Sequence, residues 1–322
     1  MNHPKSMRLC VCLPVYNDWE SVSELIAELV QVDGVVRIVV IDDGSTRLPN
    51  VDDLTDAVRG KARLELISLT TNLGHQRAIA IGLSALASDI TFDALVVMDG
   101  DGQDDPAHIP VLVDTYRSVP DQTIVFARRS RRTEGLVFRC GYIGFKILHR
   151  ALTGRGCDVG NFSLIPSASL SRLTHLSALW NHYAAAVLCS RLPTAKVDCP
   201  RRARVAGQSH MHVTSLAVHG LRAISVFGET VGVRVGLALA TLIGLVFVAL
   251  VAVVGIRLAT TWAIPGWATS AVGLLLILLL NLMLLLAPSV LLILSARSGT
   301  SMIPALDWND FVAKWKVIHD GR

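Results

Sequence analysis

Over the first two hundred residues, short β-branched runs alternate with amphipathic stretches. Leu9 to Leu13, Val35 to Ile41, Leu64 to Leu69, Ala94 to Met98 and Thr123 to Ala127 predict strands. Between them, Val22, Leu25, Ile26 and Leu29 mark one face of a helix over Trp19 to Val30, and His75 to Leu86 carries Ala, Ile and Leu at helical spacing. Asn17 and Asp18 stand where the first helix needs a cap, and Asp105-Pro106 can open a third over Ala107 to Tyr116. Strands alternating with covering helices predict an α/β domain with a mostly parallel, Rossmann-like sheet.

Further on, the pattern changes in kind. Val235 to Ile256 and Ala271 to Leu294 contain no Asp, Glu, Lys, Arg or His. At about 1.5 Å per residue, each run can cross a hydrocarbon layer of roughly 30 Å as a helix. The connection, Arg257 to Trp267, is short and holds Trp262, Pro265 and Trp267, as a helical hairpin requires. Arg222 and Arg234 precede the first run, Arg297, Lys314, Lys316 and Arg322 follow the second, and the tip carries only Arg257. Because flanking cations stay on the cytoplasmic side, the expectation is a multi-pass protein of the inner (plasma) membrane with both termini cytoplasmic. Met1 to Arg8 has no apolar signal core, so the front region is expected to stay there too.

Two amphipathic stretches flank the hairpin. Val213, Leu216, Ala217, Gly220, Leu221, Ile224 and Phe227 recur at helical spacing and fit a helix lying in the membrane interface. Trp308, Phe311, Val312, Trp315 and Ile318 form a second stripe, for which interfacial anchoring and packing on the front domain both fit the periodicity. The expected segments are therefore a domain over 1–209, juxtamembrane helices over 210–233, two transmembrane helices over 234–296 and a cytoplasmic amphipathic tail over 297–322.

Composition adds exclusions. With 52% hydrophobic and 17% charged residues in a chain of 322, disorder and collagen-like structure are ruled out. A net charge of +4 suits anionic lipid heads and phosphates, and no nucleic-acid recognition motif is present. Cys10 and Cys12 share one face of a strand and read as core thiols. Cys140, Cys157, Cys189 and Cys199 form no CxxC pair, and the histidines no HExxH, so a structural zinc site has no support.

Ligands of open α/β sheets bind beyond the carboxyl ends of the strands, and those ends are polar here. The first strand runs into Pro14-Val15-Tyr16-Asn17-Asp18, the second into Asp42-Asp43-Gly44-Ser45, and the fourth into Asp99-Gly100-Asp101-Gly102-Gln103-Asp104-Asp105-Pro106. Asp99 and Asp101, one glycine apart, can hold a hard divalent cation through oxygen. Such a cation would neutralise charge on a departing diphosphate. Alone, the pair is also an ordinary acidic turn.

The ordered set Pro-Val-Tyr-Asn, Ile-Asp-Asp-Gly-Ser, Thr-Asn-Leu-Gly-His-Gln-Arg-Ala and Met-Asp-Gly-Asp-Gly-Gln-Asp-Asp-Pro resembles the family 2 glycosyltransferases. Within them it is most similar to the membrane-bound polyprenyl-phosphate glycosyltransferases. The resemblance implies a GT-A fold and an inverting, metal-dependent hexosyltransferase using Mg2+ or Mn2+. It further implies a UDP- or GDP-sugar donor, a polyprenyl phosphate acceptor and a homo-oligomer.

By the same resemblance Pro14, Tyr16 and Asp42 line the base and ribose pocket, Asp99 and Asp101 face cation and diphosphate, Gln103 sits near the sugar phosphates, and Asn17, Asp43 and His75 are further donor-binding candidates. Arg129, within Arg128-Arg129-Ser-Arg131-Arg132, and Arg204 and Ser209, within Arg204-Val-Ala-Gly207-Gln-Ser209-His210, are expected at phosphates. Asp158 is counted with Asp99 and Asp101 among the catalytic candidates: for a hydroxyl acceptor, Asp158 or one of the Asp104/Asp105 pair would serve as general base, while a lipid phosphate needs one less. Three positions depart from the resemblance: His210 replaces a lysine, and Asn161 and Ser163 stand where Asp and Arg are frequent. Two other functions compete, a family 2 transferase that elongates a glycolipid or polysaccharide, and a non-catalytic nucleotide-sugar-binding scaffold or flippase component.

Overall fold

The computed structural model describes residues 7–128, 136–156, 159–202, 220–260, 266–298 and 302–321. The chain forms two compact units, one of Met1–Phe145, Gly156–Val226 and Ser301–Arg322, the other of Lys146–Arg155 and Phe227–Thr300.

The first unit is built on strands β1 (Leu9–Val15), β2 (Val35–Asp42), β3 (Arg63–Leu69), β4 (Ala94–Val97), β5 (Ile124–Arg128), β6 (Ser163–Pro166), β7 (Thr194–Asp198) and β8 (Val312–Asp320). They form one sheet in the order β7-β5-β6-β4-β1-β2-β3-β8. β1 pairs in parallel with β2 and β4, β2 with β3, and β5 with β7, while β6 runs antiparallel to β4 and β5 and β8 antiparallel to β3.

Both faces of the sheet are covered, and this is why its central strands are apolar at nearly every position. Val11 and Leu13 of β1 pack in one core with Val22, Leu25 and Ile26 of α1 (Trp19–Leu29), Leu54 of α2 (Val51–Val58) and Leu112 of α4 (Ile109–Arg117). Cys10 and Cys12 face the other core, with Ile79 and Leu83 of α3 (His75–Ala87), Leu170 of α5 (Ser167–Thr174) and Tyr183 of α6 (Tyr183–Cys189). Both thiols are buried and free, and burial pushes Cys12 up to about 12, so they are inert core groups. Gly82 lets α3 press on the sheet: a Cβ there would stand 2.7 Å from Cys12 Sγ.

The tail departs from the helical expectation. Pro304–Asp307 is one short helical turn, Trp308–Phe311 a 3-10 turn, and Val312–Asp320 the edge strand β8. Its pairing with β3 shifts register twice, between Leu64 and Glu65 and between Ser68 and Leu69. Such bulges break the two-residue alternation of a strand, leaving apolar spacings of three and four that imitate a helix. The stripe is in fact split: Trp308, Phe311, Val312 and Trp315 pack against the α3 core and Ile318 against the other.

A buried ionic knot fastens this edge. Glu65 accepts from Arg37 Nε (2.9 Å) and Nη2 (3.1 Å), from Arg63, and from Trp315 Nε1 at 2.6 Å. Burial alone would push the Glu65 carboxyl up, but the Arg37 fork and the other donors hold it below the usual range.

In the second unit two helices, Gly228–Ala259 and Trp267–Ser298, are each 32 residues long. They are long and apolar enough to cross a membrane, and they enclose the two charge-free runs. Arg234 Nη1 at the base of the first donates to the Ala151 carbonyl at 2.8 Å. Residues 261–265 of the hairpin tip and 210–219 of the expected juxtamembrane helices lie outside the described residues.

Candidate active site

β1 lies between β2 and β4, so the polar segments after these three parallel strands emerge side by side. Asp43 N donates to the Val15 carbonyl at 2.9 Å and Met98 N to the Cys12 carbonyl at 3.2 Å, which carries the pairing past the strand ends. Gly100 is needed at this crossing, because a Cβ there would meet the Pro14 carbonyl oxygen at 2.7 Å.

Asn17 ties the first two segments together. It adopts a left-handed backbone, φ 57°. Its Oδ1 accepts from Thr46 N (2.9 Å) and Arg47 N (3.0 Å), and its own N–H donates to Ser45 Oγ at 2.9 Å. Asp42 Oδ1 accepts from Ser45 N at 2.9 Å. Asp43 turns to the entry of α3, where it accepts from Leu73 N (2.8 Å) and Gly74 N (2.9 Å). Asn17 and Asp43 are thus spent on shaping the loops, whereas Tyr16 stands half exposed at the rim.

The acidic turn after β4 is gathered by groups from three other segments. Asp99 Oδ1 accepts from Asn161 Nδ2 at 3.0 Å and lies 3.1 Å from His75 Nε2, and Asp99 Oδ2 accepts from Arg201 Nη2 at 3.0 Å. Arg201 also gives Nη1 to Gln103 Oε1 (2.6 Å) and Nε to Asp104 Oδ1 (3.1 Å). Arg202 Nε donates to the Gly102 carbonyl at 2.6 Å, and Gln103 N donates to Asp101 Oδ1 at 3.1 Å.

The electrostatics follow from this wrapping. Burial would raise the Asp99 carboxyl, yet His75, Arg201 and Asn161 together hold it far below the usual carboxylate range. Desolvation of the His75 ring favours its neutral form, but the Asp99 carboxylate outweighs that and shifts its pKa up.

Asn161 explains one departure from the family resemblance. Its amide donates to Asp99, and its Oδ1 accepts from Gln76 Nε2 at 3.2 Å. A carboxylate here would face Asp99 at that same 3.0 Å spacing, so Asn keeps like charges apart. Ser163, fully buried, meets the Tyr183 hydroxyl at 2.6 Å in a space with no room for an arginine.

Of the residues expected at the site, Pro14, Tyr16, Asn17, Asp42, Asp43, His75, Asp99, Asp101 and Gln103 converge on this crevice. Arg129, Asp158, Arg204 and Ser209 lie outside the described residues. Arg128 belongs to β5, where it pairs with Asp198 at 2.6 Å. Sequence reading passed over Arg201, whose signal was its place three residues before the expected phosphate-binding loop; it named Asn161 only as a departure from the family pattern, Gln76 only within its motif and Asp104 only as an alternative base. It also counted Arg222 only as a flanking cation, whereas its Nη1 stands 3.6 Å from where a Gly74 Cβ would be.

A mostly parallel sheet with a carboxylate pair at the carboxyl end of a central strand defines a GT-A-like domain. The chain belongs to glycosyl transferase family 2, whose sequence profile matches residues 10–172. It is 27% identical over 263 residues to the undecaprenyl-phosphate 4-deoxy-4-formamido-L-arabinose transferase of Edwardsiella ictaluri, covering 72% of this chain and 75% of that one. It is also 27% identical over 248 residues to the prophage bactoprenol glucosyl transferase homolog of Escherichia coli, covering 73% and 78%. Among solved structures, a glucosyl-3-phosphoglycerate synthase of Mycobacterium tuberculosis in complex with Mn2+, uridine-diphosphate-glucose and phosphoglyceric acid superimposes with a TM-score of 0.53. It is 20% identical, covers 70% of this chain and 80% of that one, and shares the fold.

Proposed function

We propose that this chain is an inverting glycosyltransferase that moves a sugar from a nucleotide-diphosphate donor to a polyprenyl phosphate at the cytoplasmic face of a membrane. The carrying observation is the donor-wrapped acidic turn after β4, in a chain that also holds two helices apolar enough to span a bilayer. The activities named for the relatives, transfer on undecaprenyl phosphate and bactoprenol, support the lipid acceptor.

In this reading Tyr16 and the loop that Asn17 clamps receive the nucleoside, and the acidic turn receives the diphosphate. The donor set fits a divalent cation, Mg2+ or Mn2+. Asp99, Asp101 and the Gln103 carbonyl are hard oxygens on one turn, and the Arg201 guanidinium already draws Asp99 and Gln103 toward one positive centre. Among the described residues no cluster of three or more His, Cys, Asp or Glu is arranged for a metal, so diphosphate oxygens would complete the shell. When bound, such an ion supplies Lewis-acid stabilisation of the leaving diphosphate.

A lipid monophosphate is already largely anionic near neutrality, its second pKa being about 6. Its oxygen forms the new bond to the anomeric carbon while the bond to the nucleoside diphosphate breaks and the electron pair leaves with it, so no base is required. This suits a site where Asn161 replaces a carboxylate. Orientation follows from connectivity. β1 to β7 precede the two long helices and β8 follows them, yet all belong to one sheet, so both ends of the hairpin return to the same side. The flanking cations make that side the cytoplasm.

Membranes carrying the chain, supplied with Mg2+ or Mn2+, polyprenyl phosphate and a panel of labelled UDP- and GDP-sugars, are expected to yield a labelled monophosphate lipid. Failure of every donor to label lipid rejects the reading. The loop clamp has its own signature. Asn17→Gly keeps the left-handed backbone but loses the Oδ1 acceptor, at a cost of about 1 kcal/mol. The donor KM is expected to rise about fivefold on that basis, with kcat little changed in donor saturation curves.

A further inference from the structure

Arg201 runs from the end of β7, by way of Cys199 and Pro200, into the middle of the acidic turn. Its side chain is only 22% exposed, and its fork spans three acceptors, Asp99 Oδ2, Gln103 Oε1 and Asp104 Oδ1, at 2.6 to 3.1 Å. A guanidinium is always charged and its donors lie in one rigid plane. Three oxygens from three side chains are therefore held to one geometry by a single cation. Two of the three, on Asp99 and Gln103, are oxygens that the proposed divalent ion would also use, whereas Asp104 is outside that set. Arg201 and a divalent ion thus compete for acceptors, and their charges repel across a few ångströms.

We propose that Arg201 is a positioning residue that stands in for the divalent cation. It keeps the acidic turn assembled before the ion binds and yields Asp99 and Gln103 when the ion arrives, staying tethered through Asp104. The inference rests on the cation reading of the Asp99 and Asp101 turn. Arg201 then has two effects of opposite sign. Its charge weakens ion binding, and its fork holds the turn in the shape that transfer needs.

The test is a Mn2+ titration of the purified full chain in detergent, with free Mn2+ read by electron paramagnetic resonance and no substrate present. Arg201→Met is expected to tighten Mn2+ binding at least about tenfold, since one unit of positive charge near a divalent ion has this effect even at the dielectric of water. The same variant is expected to have a lower kcat at saturating Mn2+. Arg201→Lys, which keeps the charge, is expected to bind Mn2+ close to the unsubstituted chain. A merely structural arginine gives the opposite sign, weaker binding in Arg201→Met, and that result, or an unchanged affinity, overturns the proposal. Should Arg201→Met fail to fold, Arg201→Gln, neutral and polar, carries the same test with the same expected sign. If the unsubstituted chain shows no Mn2+ binding that Asp101→Ala abolishes, the cation reading fails and this inference with it. If it shows such binding and the neutral variants do not tighten it, only the role of Arg201 is rejected.

Discussion

Asp101→Ala is expected to lower sugar transfer by about a hundredfold to a thousandfold, the loss seen when one electrostatic stabiliser of a developing charge is removed. Asp99→Ala is expected to lose at least as much, yet the two variants separate in stability. In the proposed reading Asp101 meets the diphosphate, and its Oδ1 accepts from Gln103 N within its own turn. Asp99 is also the point where Asn161, His75 and Arg201 meet. Removing its carboxylate leaves an amide, an imidazole and a guanidinium crowded around no acceptor, and those groups come from three separate segments of chain. Thermal unfolding in detergent is expected to show a lowered midpoint for Asp99→Ala and a nearly unchanged one for Asp101→Ala. Transfer that survives Asp101→Ala would reject the role given to the turn.

The second large effect lies away from the site, at the edge where the C-terminal strand rejoins the sheet. Arg37 and Glu65 are almost wholly buried, 3% and 1% exposed. Removing one member of a buried pair costs about 3–5 kcal/mol, because the other charge is left without its partner. Glu65→Ala is expected at the lower end of that range, since Asp89 also reaches Arg37, at 3.0 Å. Trp315 loses its indole acceptor in the same variant, so β8 is expected to loosen first, as earlier proteolysis or faster amide exchange over 312–320.

The pH dependence has a definite sign. The folded-state pKa of Glu65 is depressed, so its contribution is complete above the usual carboxyl value of about 4.3 and is lost as pH falls below that value toward the folded one. The stability gap between the unsubstituted chain and Glu65→Ala is therefore expected to narrow under acid. A gap that stays constant from neutrality down to strongly acid pH would show that the carboxylate charge is not what holds the edge.

Local order accounts for what could be read without the structure. β1 is apolar on both faces, β2 and β3 keep dense apolar runs around Arg37, Arg63 and Glu65, α1 and α3 have clear helical faces, and each prediction falls within a residue or two of the element found. The polar strand ends could be read for the same reason, since a parallel sheet brings its carboxyl ends to one edge. What could not be read was short or irregular. β6 is four residues ending in Pro166, α2 follows an exposed loop, and β8 hides its period behind two register shifts.

The sequence by itself determined the fold class, the family, the two apolar helices and the acidic turn after β4. These depend on periodicity, length and residue order, which are properties of neighbours along the chain. The tertiary structure decided which groups hold that turn and where the tail goes. Arg201 reaches Asp99 across 102 positions of sequence and Trp315 reaches Glu65 across 250, and no local pattern says which residue either one meets. Each pairing exists because a buried charge needs a counterpart within hydrogen-bond distance, a requirement that only the folded chain can meet.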